Sequence, residues 1–301
     1  MTFIKIRRKV IEFLTGRSLL NRLKRKLRNE LREEFKKELQ ARLKEERETW
    51  SKREKALRKK ERLQERSPKR IIRGLERNSV QFEKERLFDG TIRFHEEASG
   101  NVILFREGSS FEGSIKVKGW DNVIEFGPHS KIRGTVAMGG RGCRLTFGDY
   151  STAESLFVVA SGQDIHIGKW CMFSRNVEIR TTDSHAVVDR DTGRWLNPRV
   201  PVFIGDHVWI CANSTIMKGS RILSDSIVGA MSMVNRAFEE EGVVLAGVPA
   251  KVVRRGVTWH RKLQENFTPE DLQYHLYDNK GQLIETAPRQ EDEASGSGGK
   301  V

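Results

Sequence analysis

Residues 204–234 read IGDHVWICANSTIMKGSRILSDSIVGAMSMV, and this stretch decides the fold. Every sixth residue in it is a branched aliphatic residue: Ile204, Ile210, Ile216, Ile222, Val228 and Val234. A very short strand cannot bury an apolar face alone, but stacked coils of such strands place these residues in one continuous core. The spacing therefore predicts a parallel β-helix with about six residues on each face and about eighteen in each coil.

A longer repeat precedes this stretch. Four segments follow one another at a step of about 21 residues: GNVILFREGSSF from Gly100, DNVIEFGPHSKI from Asp121, GCRLTFGDYSTA from Gly142 and QDIHIGKWCMF from Gln163. Each reads as a strand of alternating apolar residues followed by a turn. The longer step predicts looser corners, and the in-phase aliphatic residues argue against a sandwich of antiparallel hairpins. We therefore predict an all-β domain over residues 79–256.

One polar stretch interrupts the repeat between residues 180 and 203. It contains TTDSHAVVDRDTGRWLNPRV and shows no period of six. Such a stretch predicts a loop that projects from a regular coil, and loops on a rigid scaffold commonly carry catalytic residues. Its one histidine is His185, which is either a catalytic residue or an ordinary polar surface residue.

The first 78 residues differ from the rest in charge. They carry 28 Lys and Arg against 12 Asp and Glu, whereas residues 79–301 carry 27 against 29, so the net charge of +14 belongs to one segment. Glycine is rare in this segment and no proline precedes Pro68, which sets a boundary near Ser67–Gly74. We predict an amphipathic basic stretch over residues 1–19 and a long, charged, coiled-coil-like helix over residues 20–78.

Two roles remain open for this N-terminal arm. It is either a self-associating helix that holds an oligomer together or a docking arm that makes peripheral contact with an anionic membrane. Nucleic acid is not favoured as a partner, because no base-reading motif accompanies the charge. The chain has three cysteines without a C-x-x-C motif and no apolar run of spanning length. Its first 20 residues contain no unbroken apolar stretch of the kind found in signal peptides, so we expect no cleaved signal peptide. These features indicate a soluble, cytoplasmic protein, with the inner face of the membrane as the site of any peripheral contact.

The stretch at residues 204–234, followed by VVLAGVPAKVVRRG at residues 243–256, resembles the hexapeptide-repeat acyltransferases. The resemblance covers roughly residues 100–256, and the loop with its DSH, TG and NP sequences is most similar to the bacterial polysaccharide and sugar O-acetyltransferases. It implies a left-handed β-helix, a homotrimer and acetyl-CoA as the acyl donor.

The resemblance also implies roles for single residues. His185 matches the catalytic base, Trp209 matches a residue beside the active site, and Asp183 is close enough in sequence to orient His185. Positions that match the acetyl-CoA site of the family are Ala212, Gly229, Ala230, Asn235, Lys251 and Arg254. Two residues depart from the family pattern near the expected pantetheine groove, namely Cys211 and Met231.

These departures leave three functions open. The first is transfer of acetyl from acetyl-CoA to a sugar hydroxyl of a surface polysaccharide or its precursor. The second is a catalytically inactive scaffold with an assembly or docking arm, and the third is N-acylation of an amino-sugar. Metal catalysis is not favoured because His129, His166, His185 and His207 form no close pair, and Cys211 as a nucleophile lacks a nearby base in the sequence.

The end of the chain predicts a helical extension and a tail. Thr268 followed by Pro269, Glu270 and Asp271 has the pattern of a helix start, which places a short helix within residues 257–285. Residues 286–301 are polar and rich in Gly and Ser, a composition typical of disorder.

Overall fold

The computed structural model describes residues 5–9, 11, 26, 37, 70–84, 87–278 and 282. The chain divides into two units, Met1–Ser67 and Pro68–Val301. Residues 5–9, 11, 26 and 37 are helical, and the rest of the predicted N-terminal helix up to residue 69 lies outside the described residues, as does the predicted C-terminal tail.

The second unit is a parallel β-solenoid, as the repeats predict, with the left-handed β-helix fold. Its strands are β1 Arg70–Arg73, β2 Ser79–Phe82, β3 Phe88–Phe94, β4 Val102–Phe105, β5 Ser110–Val117, β6 Val123–Phe126, β7 Lys131–Gly139, β8 Arg144–Phe147, β9 Thr152–Ser161, β10 Ile165–Ile167, β11 Met172–Phe173, β12 Val177–Arg180, β13 Val202–Ile204, β14 Trp209–Ile210, β15 Thr215–Ile216, β16 Arg221–Ile222, β17 Ile227–Val228, β18 Met233–Val234, β19 Val243–Gly247 and β20 Ala250–Arg255.

The described solenoid begins earlier than the sequence analysis predicts. Strand β1 starts at Arg70 and pairs in parallel with β3, and a 3₁₀ helix follows at Leu75–Arg77. Residues 70–78, which we predicted as helix, therefore belong to the first coil. Pro68 ends the run of helix formers, and Ile72 packs against the solenoid core, which favours a strand over a longer helix.

Two sheets form the walls of the solenoid. Seven strands, in the order β16-β13-β10-β8-β6-β4-β2, form one sheet, and the other thirteen form the second. Val102 pairs with Val123, and Ile124 pairs with Leu145, so the step of 21 residues in the sequence is the step from coil to coil. The one antiparallel pair among the described strands is β19 with β20, at the C-terminal end.

Identical residue types stack along the core. The rings of Phe82, Phe105, Phe126 and Phe147 lie in one column, with successive centroids 4.7, 4.8 and 5.2 Å apart. Every hexad aliphatic residue named above is buried. Buried amides continue the stacking at a corner, where Asn122 donates through Nδ2 to Oδ1 of Asn101 at 2.9 Å. Each coil therefore packs mainly against its two neighbours.

The looser corners of the longer coils depend on glycine. Strands β3, β5 and β7 pass a corner at Gly90, Gly113 and Gly134, which pair with one another and have φ values of 145°, 140° and 157°. A Cβ atom on Gly113 would lie 1.9 Å from the carbonyl oxygen of Gly134. Only glycine permits both this backbone conformation and this approach of successive coils.

The C-terminal segment, residues 257–278, packs along another corner. Its helical content is a turn at residues 269–272 and a 3₁₀ helix at Tyr274–Leu276, which is shorter than the pattern at Thr268 suggests. The indole of Trp259 donates to the carbonyl of His207 at 2.7 Å, and Arg261 donates to Thr152 Oγ1 and to the carbonyl of Cys171. These bonds fix the segment to the corner.

The ring of His207 lies between two rings of this segment. Its centroid is 4.4 Å from that of Trp259 and 4.0 Å from that of Tyr274, and its Nδ1 is 2.8 Å from Oδ1 of Asp225. Burial lowers the pKa of His207 from its usual 6.5, against the opposing effect of Asp225; Arg261 and His260 also lower it. The neutral ring is therefore the form that the packed segment favours.

We expect acid to weaken the packing of the C-terminal segment through His207. Because the pKa is lower in the folded chain, the unfolded chain binds the proton first, and the free energy of unfolding falls as the pH drops below about 6.5. Tryptophan fluorescence and limited proteolysis between pH 8 and pH 5 measure this effect. A His207→Gln variant lacks the titrating group, so a pH dependence equal to that of the wild type would contradict the assignment.

Candidate active site

The projecting loop lies between β12 and β13, where the interrupted repeat places it. It folds into a hairpin, with an antiparallel bridge between Val188 and Trp195 and a hydrogen bond from the amide of Asp189 to the carbonyl of Arg194 at 2.8 Å. Its turn is closed by Asp189, whose Oδ1 accepts from the amide and the hydroxyl of Thr192. The loop therefore has a hydrogen-bonded structure of its own, and His185 lies at its base.

His185 is exposed, and its ring forms no hydrogen bond or ion pair with any described residue of the chain. The predicted contact with Asp183 is not formed. Asp183 Oδ2 instead accepts from Lys218 Nζ at 2.6 Å and from Asn197 Nδ2 at 2.7 Å. The hydrogen bond from Lys218 lowers the pKa of Asp183 most, and the bond from Asn197 lowers it further. The carboxylate is therefore charged, and its Oδ2 already accepts from these two residues. The sequence could not show this, because Lys218 is 35 residues away.

The residue that orders the base of the loop is Asn197. Its Oδ1 accepts from the amide of Val187 at 2.6 Å and from the indole of Trp195 at 2.7 Å. Its Nδ2 donates to Asp183 and to the backbone carbonyl of His185 at 3.0 Å. Both ends of the hairpin are thus tied to the backbone at His185 by one amide. The NP sequence in the loop was the available signal for Asn197, and nothing in the sequence marked Lys218.

We expect Asn197→Ala to lower kcat by about 100-fold, because small misplacements of a catalytic group have effects of this size. The change removes four hydrogen bonds from the loop without touching the solenoid core. Steady-state kinetics and a thermal unfolding curve are the measurements. The matched control is Thr192→Ala, which removes a hydroxyl at the far turn of the same hairpin. Equal activities of the two variants would contradict a positioning role for Asn197.

The remaining predicted residues lie on the last coils. Trp209 is half-buried, and its indole donates to Ser174 Oγ at 3.3 Å. Of the predicted donor-site residues, Ala212 and Gly229 are half-buried, and four are exposed: Ala230, Asn235, Lys251 and Arg254. Lys251 and Arg254 project from β20, opposite Ala246 and Val244. No hydrogen bond or ion pair among the described residues of one chain joins them to His185.

The two departures from the family pattern have different environments. Cys211 is half-buried, its amide donates to the carbonyl of Val228 at 2.9 Å, and burial raises the pKa of its thiol. A thiol with a raised pKa is a poor nucleophile. Met231 has a φ of 59° and is 71% exposed, so its side chain projects away from the coil interior. Neither residue fills the core of the solenoid, and both lie on its surface corners.

Three other histidines serve in packing. His129 stacks on Tyr150, His166 stacks on Phe203, and His207 lies between two rings as described. Within the described part of the chain, no three His, Cys, Asp or Glu residues are grouped so that they could hold a metal ion. Over the same residues, no helix has the length and apolar character needed to span a bilayer.

Known proteins resemble this chain in sequence and fold. No family model matches it. A polysialic acid O-acetyltransferase of Neisseria meningitidis is 31% identical over 174 residues, which cover 58% of this chain and 81% of that protein. A second polysialic acid O-acetyltransferase, from Escherichia coli, is 28% identical over 158 residues, covering 52% of this chain and 51% of that protein.

A similar fold is found in a solved structure. The polysialic-acid-specific acetyltransferase NeuO superposes with a TM-score of 0.58 at 22% identity, over 68% of this chain and 93% of that one. The solenoid of this chain therefore has the architecture of that structure.

Proposed function

Because this chain belongs to the family of sugar O-acetyltransferases that includes the Neisseria protein, we propose that it transfers acetyl from acetyl-CoA to a hydroxyl of a surface polysaccharide or its precursor, with His185 as the general base. The observation that carries the role of His185 is its place in the hairpin. Its backbone is fixed through Asn197, while its ring is exposed and has no partner among the described residues. A base that must meet a substrate hydroxyl requires this combination of fixed backbone and open ring.

The proposed reaction is a direct transfer. His185 takes the proton of the acceptor hydroxyl as the oxygen attacks the thioester carbonyl. The tetrahedral intermediate then collapses, the C–S bond breaks, and the CoA thiolate takes the proton from the imidazolium. Asp183 is paired with Lys218 and Asn197, so in this proposal it shapes the loop and does not hold the ring. Backbone N–H groups at the coil corners are the proposed donors to the oxyanion.

The proposed donor site lies on the last coils. Ala212, Gly229 and Ala230 offer small side chains beside the backbone, which suits a thin pantetheine arm, with Trp209 and Asn235 near it. Lys251 and Arg254 are exposed cations, which suit the phosphates and the adenine of CoA. The exposure of Met231 supports the proposal. Because its side chain points away from the corner of the coil, it does not fill the space beside the corner in which the pantetheine arm would lie.

We expect Lys251→Ala and Arg254→Ala each to raise the Kd for acetyl-CoA about tenfold, because each removes one charge-assisted contact to phosphate. Isothermal titration calorimetry of the wild type and both variants measures this. Acetyl-dephospho-CoA is the matched ligand: a variant that has lost the contact to the 3′-phosphate no longer distinguishes it from acetyl-CoA. Unchanged affinities in both variants would contradict this part of the donor site.

The test of the function is the product. The full chain is incubated with acetyl-CoA and polysialic acid, and the product is analysed by mass and by base lability. An increase by one acetyl group that base removes is the expected result. A base-stable product formed in a parallel assay with a free amino-sugar as acceptor would indicate N-acylation. Absence of both transfer and acetyl-CoA binding would favour the inactive scaffold.

We also propose a homotrimer. The hairpin exposes four large apolar side chains, with 45–55% of each accessible: Val187, Val188, Trp195 and Leu196. An apolar patch of this kind on one chain supports contact with another copy. In this arrangement residues of neighbouring chains complete the acceptor site. Sedimentation equilibrium of the full chain tests it.

We further propose that residues 1–19 make peripheral contact with an anionic membrane at its inner face and that residues 20–69, the part of the predicted helix that precedes the solenoid, are an assembly or docking arm. The described helical residues 5–9 and 11 alternate cations with Ile6 and Ile11, each 54% exposed. This pattern supports an interfacial helix. A variant with neutral residues at positions 5 and 7–9 that still sediments with anionic vesicles would remove the membrane from the proposal.

A further inference from the structure

One column of residues runs along the outward side of the thirteen-stranded sheet and ends at the candidate active site. Residues in register on successive strands form it, in the order Arg73, Arg93, Lys116, Ala137, Val159 and Arg180. In each strand the residue before the column residue is aliphatic and points into the solenoid. Because successive side chains of a strand point to opposite faces, the column faces outward. With strands about 4.8 Å apart, its five steps span roughly 24 Å.

The N-terminal half of this basic column is an array of unpaired cations. Arg73, Arg93 and Lys116 are exposed, and none forms an ion pair within the described part of the chain. Some other arginines of the solenoid are paired, such as Arg106 with Glu83 and Arg133 with Glu112.

The same end of the column borders an open cavity of about 700 Å³. Three of its lining residues are Arg73, Arg77 and Arg93, opposed there by Glu76 and Glu96. Lys116 follows on the next coil, so positive charge prevails along the column. A surface on which positive charge prevails attracts ligands of negative charge.

The C-terminal half leads to the hairpin. Ala137 and Val159 have short side chains, so the column itself carries no long side chain between Lys116 and Arg180. In the neighbouring column Phe157 is 42% exposed and offers a ring beside this path. Arg180 is the last residue before the loop. Its Nη2 pairs with Glu178 at 2.6 Å, while its buried Nε has no hydrogen-bond partner among the described residues.

We infer that the basic column is an extended subsite for an acidic polysaccharide, along which the acceptor chain lies while one of its residues is at His185. A carboxylate repeated along a sugar polymer matches cations repeated from coil to coil, and the exposed ring of Phe157 suits the apolar face of a sugar. A neutral polymer would gain nothing from Arg73, Arg93 and Lys116. The inference rests on the proposed function, because it extends the acceptor site of that reaction.

The test uses the full chain with Arg93→Glu and Lys116→Glu combined. Its matched control combines Arg144→Glu and Arg221→Glu, which makes the same change in net charge on the other sheet, at side chains that are 56% and 51% exposed. The basic N-terminal arm is common to both proteins, so its own attraction for a polyanion cancels in the comparison. The probe is polysialic acid, with a sialic acid trisaccharide and dextran as short and neutral acceptors.

We expect the column variant to raise the KM for polysialic acid about tenfold at low salt, with a smaller rise at 0.5 M salt, because the interaction is screened. The KM for the trisaccharide should change less than twofold, since a short acceptor covers less of the column than the polymer does. Fluorescence anisotropy of labelled polysialic acid, measured in a His185→Ala background, should show the same loss of affinity without turnover.

Two results would overturn the subsite. One is equal polysialic acid affinity in the column variant and in the sheet control. The other is an equal loss of affinity for a DNA oligonucleotide of the same charge, which would make the column a general polyanion surface. If the wild type binds polysialic acid through the column but transfers no acetyl, the proposed function falls and the subsite stands.

Discussion

His185→Ala is expected to lower the rate of acetyl transfer by about 10²- to 10⁴-fold, the usual contribution of a general acid–base residue. The exposed ring has no structural partner among the described residues, so its loss should leave the unfolding temperature and the affinity for acetyl-CoA unchanged. The rate is measured with acetyl-CoA and polysialic acid by thiol release. The fall should appear in kcat, because the imidazole acts on the hydroxyl only as the oxygen attacks.

The control for this result is Asp183→Asn. Asp183 bonds to Lys218 and Asn197 and not to the imidazole, so the amide should lower kcat by less than about tenfold through the loop alone. A triad-like arrangement would instead make both variants equally inactive. If His185→Ala retains more than about a third of the activity, the histidine is a surface residue and the base must be sought elsewhere.

Gly113→Ala is expected to destabilise the solenoid by roughly 4 kcal/mol or more, a size of effect that is exceptional for a single methyl group. The added Cβ would lie 1.9 Å from the carbonyl oxygen of Gly134, and φ is 140°, where L-residues are strained. Neither strand can move away, because each is paired on both sides. Urea unfolding followed by circular dichroism measures the free energy of unfolding.

The matched control is Gly139→Ala, at the end of β7. Its φ is not positive, and the nearest atoms to an added Cβ are at 3.6 Å, an ordinary contact. We expect a change within about 0.5 kcal/mol there. A similar loss of stability in both variants would show that glycine is required throughout the coil and not at the corner column in particular.

The fold could be predicted from the sequence because each coil of a solenoid repeats the same pattern of buried and exposed residues. Ile204 and its successors at every sixth position, and Val102 and Val123 at the longer step, are paired or buried as their spacing predicts. The start of the solenoid was misplaced by nine residues, because Arg70–Arg73 has only half-buried aliphatic residues and no repeat before it to align with.

The site was only partly readable. The position of the loop and of His185 followed from the break in the period, but the bonds around it did not. Asp183 is bound by Lys218, and His207 is covered by Trp259, 52 residues further along the chain. These contacts depend on which corners the folded coils bring together, and a periodic pattern carries no information about pairing between corners. The side-chain amide of Asn197 bonds to residues up to 14 positions away, beyond any local motif.

The register between successive coils has one further consequence, which concerns the length of the solenoid. Since residues 123–143 make one full step, with Val102 in register with Val123 and Val123 with Arg144, their removal would join Asn122 to Arg144 and place Val102 in register with Arg144. The distance from Arg73 to His185 would shorten by a single strand spacing, about 4.8 Å, while the hairpin and the last coils stayed as they are. The length of the solenoid can therefore change in steps of one whole coil, and such a change leaves the residues of the candidate active site as they are.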